Sequence, residues 1–277
     1  MNIFSNPYLM ILIVLLLALL IIHISDRQLQ RRQFAMEGFE QSQPFLMKRD
    51  DQIYDGFYAD IYDELNNTAD RTGFEYHKIV ELTRPSLQHS TFLDIGSGTG
   101  HLVNILTKAG YNAHGLDSSK DMVAYSQEQF PNTEIKCGDA LQPIQYMNST
   151  FTHITCMNGT VYHFQDKRTL FMNCRRWLKP NGFLIIHVMD KDNDKSQDTE
   201  LRNVEYKTSR TFHPDNTVSF VETFTDKATH NVRQNEQTLY MENKEEIVRM
   251  IMEQGFIAHA QIKTDDNQYI YVFERPM

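Results

Sequence analysis

Residues 91–106, TFLDIGSGTGHLVNIL, put three glycines into five positions directly after a short apolar run and directly before a helical pattern. A strand that turns through glycines into a helix opens an α/β sheet, and its loop is a ligand seat. Its neighbours narrow the ligand. A phosphate-binding P-loop needs Lys and then Ser or Thr after its last glycine, whereas Gly100 is followed by His101 and Leu102. The dinucleotide fingerprint wants a third glycine three positions beyond the second, a place held by His101. Asp94, just before the loop, would repel a pyrophosphate and attract an ammonium group. The loop therefore suits a ligand without phosphates.

The pattern on either side fits that opening. Strands are predicted at 91–95, 111–116, 133–136, 151–157 and 183–188. They alternate with helices at 99–109, 118–129 and 166–178, after two leading helices at 56–66 and 72–84. FLIIHV is apolar on both faces, as a strand covered by helices on each side must be. Leu170, Cys174, Trp177 and Leu178 form one apolar stripe, and KPNG ends that helix with turn chemistry. Such alternation predicts a parallel, doubly wound, Rossmann-like sheet with ligands at the carboxyl ends of its strands. After the polar loop DKDNDKSQD come three β-rich runs, 204–212, 217–225 and 230–241, read as an antiparallel meander. Helix 243–254 and strands 256–263 and 268–274 close the chain. The 204–241 insertion is expected over the same sheet edge as the ligand, as a lid, a substrate wall or a dimer face.

Three acids follow successive strands: Asp94 in LDIGSGTG, Asp117 in HGLDSSKDM and Asp139 in IKCGDA. With these in register, residues 54–188 resemble a class I S-adenosylmethionine-dependent methyltransferase of the small-molecule type. FLDIGSGTG is similar to that family's first motif, GLDSSKDMVAYSQ to its second and CGDA to its third. FTHITCMNGTVYHF and LKPNGFLIIHV resemble the later ones. The resemblance implies that Asp94 and the backbone of Gly96, Ser97 and Gly98 hold the methionine end of the cofactor. It implies that Asp117, beside Ser118, takes both ribose hydroxyls, since one carboxylate can accept two hydrogen bonds from a vicinal diol. Met122 would pack on the adenine, Asp139 and Ala140 would read its edge, and Met157 would line the crevice. YDGFYADIYDEL resembles the tyrosine-rich helix that closes over the methionine part, with Tyr62 the best match. His163, just after the fourth strand, stands where this group often presents a residue to the acceptor. The resemblance thus implies S-adenosylmethionine as cofactor and His163 as a base toward an amine or hydroxyl. Two departures are Ser97, where a small residue suffices for the turn, and Asn181 in place of the first glycine of K-P-G-G, which tolerates left-handed geometry.

The N-terminus departs from a plain soluble enzyme. Tyr8–Ile24 is a run of seventeen mostly apolar residues, near the lower limit for spanning the roughly 30 Å hydrocarbon core. MNIFSNP carries no Lys or Arg and no A-x-A site follows, so an uncleaved anchor is favoured over a signal peptide. Arg27, Arg31 and Arg32 follow the run, which predicts a single-pass protein with its catalytic domain in the cytoplasm. The boundaries expected are a transmembrane segment at 1–24, a juxtamembrane linker at 25–50 and the methyltransferase domain at 51–277.

Composition bears on the partners. A net charge of −9 and the lack of a Lys/Arg stripe argue against nucleic acid. So does CMNGTVYHF, which has no N-P-P-Y or D-P-P-Y grip for a planar base. Cys137, Cys156 and Cys174 form no zinc-like cluster and read as small buried hydrophobes in a reducing compartment. The expected partner is a small-molecule or lipid-linked acceptor methylated on N or O. The competing reading is a non-catalytic, membrane-tethered module that binds the same cofactor.

Overall fold

A computed structural model describes residues 13, 15–20, 22, 44–189, 198–201, 203–264 and 268–277. In chain order, β1 (Phe45–Arg49) leads to α1 (Gly56–Leu65) and α2 (Thr68–Thr83). Then β2 (Thr91–Ile95), α3 (His101–Lys108), β3 (Asn112–Asp117), α4 (Lys120–Gln129) and β4 (Glu134–Cys137) alternate. β5 (Phe151–Cys156), α5 (Lys167–Trp177) and β6 (Leu178–Met189) continue the alternation. The insertion is β7 (Asp198–Leu201), β8 (Val204–Phe212), β9 (Thr217–Asp226) and β10 (Val232–Tyr240). α6 (Lys244–Glu253), β11 (Ile257–Lys263) and β12 (Gln268–Glu274) follow.

The main sheet has seven strands in the order β11-β12-β6-β5-β2-β3-β4. β4, β3, β2, β5 and β6 are parallel, while β12 and β11 add antiparallel at one edge. The order reverses between β2 and β5, so a crevice opens there at the carboxyl ends of the strands. Ile154, Leu184, Ile186 and Val188 are fully buried, as two-sided helix cover requires. Trp177 is likewise buried, packs edge-on against Tyr146 and donates its indole N–H to the Pro143 carbonyl at 3.1 Å. The KPNG turn survives as a bulge, with Asn181 at φ +60°. Asparagine reaches that region at less cost than most residues.

The insertion supplies four strands of a separate five-stranded sheet, β1-β10-β9-β8-β7. Its edge strand corrects the expected linker: Phe45–Arg49 pairs in parallel with Val232–Glu236. The FLMKR run is too short to show a period alone, and it becomes a strand because β10 offers it an unpaired edge. α1 is clamped between this sheet and α4, with Phe57, Ile61, Met122, Tyr206 and Phe224 in one cluster. Arg233, almost wholly buried, fixes the clamp. It donates to Asp55 Oδ2 at 3.0 Å, the Ile53 carbonyl at 3.1 Å and Asn235 Oδ1 at 2.9 Å, and it stacks on Phe57. Asp55 in turn caps α1 by accepting from the Tyr58 N–H. A buried charge with every side occupied in this way holds one relative position of helix and sheet.

Among the described residues no helix is long and apolar enough to cross a membrane. The expected span falls largely outside the described residues; residues 13, 15–20 and 22 within it are helical and exposed. Of the polar loop after β6, residues 190–197 also lie outside the described residues.

Candidate functional site

β2 carries Asp94 to the floor of the crevice, buried, where the Thr155 hydroxyl of β5 donates to its Oδ1 at 2.6 Å. Burial pushes its pKa up to about 7, the Thr155 bond pulls it down, and Glu75 and Asp117 raise it further. The chain then turns through Gly96 at φ +67° and Gly98 at φ +52°. At Gly96 a side chain would also collide with Thr160, so glycine is required there twice over. Asp94, Gly96, Ser97, Gly98, Tyr62 and Met157 border one cavity, so six of the residues expected at the site meet in space.

Asp117, at the end of β3, adjoins them. Its Oδ2 accepts from the Gly98 N–H at 2.8 Å and its Oδ1 from the Ser119 N–H at 2.9 Å. Burial raises its pKa while these two bonds lower it. Ser118 is exposed; its neighbour Ser119 does the structural work, capping α4 at the Met122 N–H and donating to the Tyr54 carbonyl at 2.6 Å. Met122 is buried against α1. Asp139 is exposed and accepts from the Leu141 N–H at 2.8 Å, while Ala140 is buried with its carbonyl bonded to Asn173. The Gly138 N–H donates to the Asp117 carbonyl at 2.8 Å, which ties this loop to the end of β3.

Three tyrosines spaced four apart, Tyr54 just before α1 and Tyr58 and Tyr62 within it, each take a different partner. Tyr62 accepts from Asn158 at 3.1 Å, Tyr58 donates to buried Glu222 at 3.0 Å, and Tyr54 bonds Gln237. Tyr54 leads to His163, which stands apart from the Asp94 cavity. The Gln237 amide nitrogen of β10 lies 2.8 Å from His163 Nδ1, and Tyr54 meets the imidazole edge-on. The ring is open to solvent on the crevice wall, yet the protein packed around it, and then the Lys167 ammonium, hold its pKa below the ordinary imidazole value, with Asp50 opposing. Lys167 itself is buried, paired with Glu242 at 2.7 Å and bonded to the Tyr240 and Phe164 carbonyls.

Sequence reasoning missed the far wall. Thr68, Arg71 and Glu75 of α2 border the Asp94 cavity. Arg71 Nε and Glu75 Oε1 are buried without hydrogen bonds, and the Arg71–Glu75 approach is long at 3.7 Å. Orphaned buried donors and acceptors around a cavity are the mark of a polar guest. An (i, i+4) Arg–Glu pair one helix before the glycine loop was the available signal, but such pairs are usually solvated helix faces. The cysteine reading needs one correction: Cys156 and Cys174 are buried, but Cys137 is exposed at the end of β4, where the strand stops and no helix covers it. Gln237 also had no signal, because only the meander's pairing brings it to His163.

Sheet order, crevice and glycine loop are those of the class I S-adenosylmethionine-dependent methyltransferase fold. Residues 93–186 match the family described as methyltransferase domain. It is 28% identical over 145 residues to the malonyl-[acyl-carrier protein] O-methyltransferase of Halalkalibacterium halodurans, covering 48% of this chain and 52% of that one. It is 27% identical over 192 residues to the phosphoethanolamine N-methyltransferase of Plasmodium falciparum, covering 62% and 70%. For the first of these, and for other curated relatives, the chain spans about half of the relative's length. The CcbJ methyltransferase of Streptomyces caelestis shares the fold at TM-score 0.70 and 16% identity, over 82% of this chain and all of that one.

Proposed function

We propose that the protein transfers a methyl group from S-adenosylmethionine to a nitrogen or oxygen of a small-molecule or lipid-linked acceptor. One observation carries the reading: a buried carboxylate, Asp94, faces a cavity whose other wall holds Thr68 and a loosely closed Arg71–Glu75 pair, 3.7 Å apart and without a hydrogen bond between them. That donor set fits an amino-acid zwitterion. Asp94 answers an ammonium and Arg71 a carboxylate. Asp117, already fixed by two backbone donors, has lone pairs left for a vicinal diol, and Met122 gives an apolar wall for a base. S-adenosylmethionine would supply an electrophilic methyl on a sulfonium, which needs little activation from the protein.

What remains for the chain is alignment, exclusion of water and removal of one proton. Tyr62 and Asn158 lock α1 against the loop after β5, and the second sheet reaches His163 through Gln237. His163, neutral at pH 7 because its pKa is lowered, can accept the acceptor's proton once its tautomer leaves a nitrogen bare. Both N- and O-methyltransferases stand among the relatives, which matches a site that grips the cofactor firmly and leaves the acceptor to the insertion.

The apolar run Tyr8–Ile24 supports a further reading: a single-pass anchor with the catalytic domain in the cytoplasm, oriented by Arg27, Arg31 and Arg32. A glycosylation acceptor fused to the C-terminus stays unmodified on that reading. The transfer itself is tested by incubating the full chain with methyl-labelled S-adenosylmethionine and membrane, lipid and small-metabolite fractions. Label moving into one fraction, and not with Asp94→Asn, supports it. Tight cofactor binding with no transfer to any fraction would favour a non-catalytic binding module.

A further inference from the structure

At the sheet edge opposite the crevice, where the parallel strands begin, lies a second cleft of about 400 Å³. α5 ends there in Arg175 and Arg176, β12 runs out into Arg275, and Asn148, Ser149, Met172 and Gln254 complete the lining. Arg176 donates to Asn148 Oδ1 at 2.5 Å. Arg275 donates to the Leu178 carbonyl and to Ser149 Oγ at 3.4 Å. Arg175 Nε and Arg275 Nε are buried without partners.

Among the described residues, none of these three arginines has a carboxylate within salt-bridge distance, although eleven other Lys and Arg residues do. The nearby acids are engaged elsewhere: Glu253 with Arg168 and Arg249, Glu274 with His259. In a chain of net charge −9, three unpaired guanidiniums around one cleft are not a by-product of general basicity. Their mutual repulsion favours an anion placed among them. The Arg175 charge, after burial, lowers the Arg275 pKa, which agrees with their closeness. Each guanidinium offers five donors in a planar fork, and few of these are used here.

We propose that this cleft binds a phosphate group, whose charge of about −2 and three terminal oxygens match three converging forks better than a single carboxylate would. The phosphate could belong to a soluble monoester or to an anionic lipid headgroup. Met147 and Met172, 82% and 51% exposed beside the cleft, give the lipid source an apolar rim. The site lies one strand length, roughly 20 Å, from the crevice. It is therefore separate from methyl transfer.

The test uses the full chain in neutral detergent micelles, with inorganic phosphate and micelle-borne lysophosphatidic acid as probes in parallel titrations. Saturable one-to-one binding is expected, weakened at least tenfold in Arg175→Gln/Arg176→Gln. It should be unchanged in Arg249→Gln, which removes the same charge on the neighbouring helix. Arg275 is left intact because its bond to the Leu178 carbonyl also holds the strand end, and unchanged circular dichroism melts establish that the double variant is folded. Lysophosphatidic acid binding at least tenfold tighter than inorganic phosphate identifies a membrane headgroup, and equal affinities identify a soluble phosphate. Absence of saturable binding to both probes, or equal affinity in the folded double variant, overturns the proposal.

Discussion

The Gly98 N–H donates to the Asp117 carboxylate across 2.8 Å, so the glycine loop of one strand is pinned by the end of the next. The same carboxylate takes the Ser119 N–H, which sets the first turn of α4. Asp117 thus shapes the loop, and on the proposed reading it also offers lone pairs to a ribose. Asp117→Ala should cost about 2 to 4 kcal/mol of S-adenosylmethionine affinity, because charge-assisted bonds are lost in a partly desolvated place. That is roughly a 30- to 1000-fold rise in Kd. Calorimetry on a folded variant checks it, and an unchanged Kd would remove Asp117 from the cofactor site.

Asp94 makes cofactor affinity depend on pH. Its pKa in the empty protein is raised to about 7, first by burial. The ammonium of a bound methionine moiety favours the ionised form, so binding drives off a proton. Affinity should therefore rise with pH, by up to about tenfold per unit, until the pH passes about 7. Stability of the empty protein runs the other way. A carboxyl whose folded pKa lies above its unfolded value stabilises the fold below the unfolded pKa, and that contribution fades as pH rises through about 7. Calorimetry in buffers of different ionisation enthalpy should detect the released proton. Asp94→Asn should bind weakly and without pH dependence between 6 and 7; a variant with the wild-type slope would assign the proton to another group.

Arg71 is predicted to hold the carboxylate of the same ligand. Arg71→Ala would also strand Glu75, which is buried with its pKa pushed up to about 7, first by burial and against the pull of Arg71. Paired with Glu75→Gln, the variant separates the two effects. The double variant should regain thermal stability while its cofactor Kd stays more than tenfold raised, as expected for a lost charge-assisted bond. Recovery of affinity along with stability would make Arg71 a partner of Glu75 alone.

The sequence carried the first half of this site because strand, glycine turn and acid recur at fixed spacing. Asp94, Asp117 and the Gly96–Gly98 loop depend on local geometry that a single βα unit dictates. Arg71 and Gln237 depend on packing between distant segments. Gln237 reaches His163 only because β10 pairs with β9 and β1 in a second sheet, and no periodicity in RQNEQTLY marks it. For the same reason Phe45–Arg49 read as linker. A strand of only five residues draws its order from the edge it joins, and the partner lies nearly 190 residues away.

The last prediction concerns the tautomer of His163. The Gln237 amide is held at the Tyr54 hydroxyl through both ends, 3.2 Å from Oε1 and 3.1 Å from Nε2. With its nitrogen toward His163 Nδ1, the imidazole accepts there and carries its proton on Nε2, leaving no bare nitrogen for an acceptor. With the amide reversed, Oε1 accepts from Nδ1–H and Nε2 becomes the base. Gln237 thereby positions the base without touching the acceptor. His163→Ala should lower turnover by roughly 10² to 10⁴ with cofactor binding intact. In the wild type the rate should fall on acidification with a midpoint below about 6.5, since the protein packed around the ring and the Lys167 ammonium both lower the imidazole pKa. Gln237→Glu can only accept, so it should fix the Nδ1–H tautomer, stabilise the imidazolium and move that midpoint upward. Gln237→Leu should lower turnover without moving the cofactor Kd. A pH–rate profile for Gln237→Glu identical to wild type would show that His163 does not take the proton, and that alignment by Tyr54, Tyr62 and the second sheet carries the reaction.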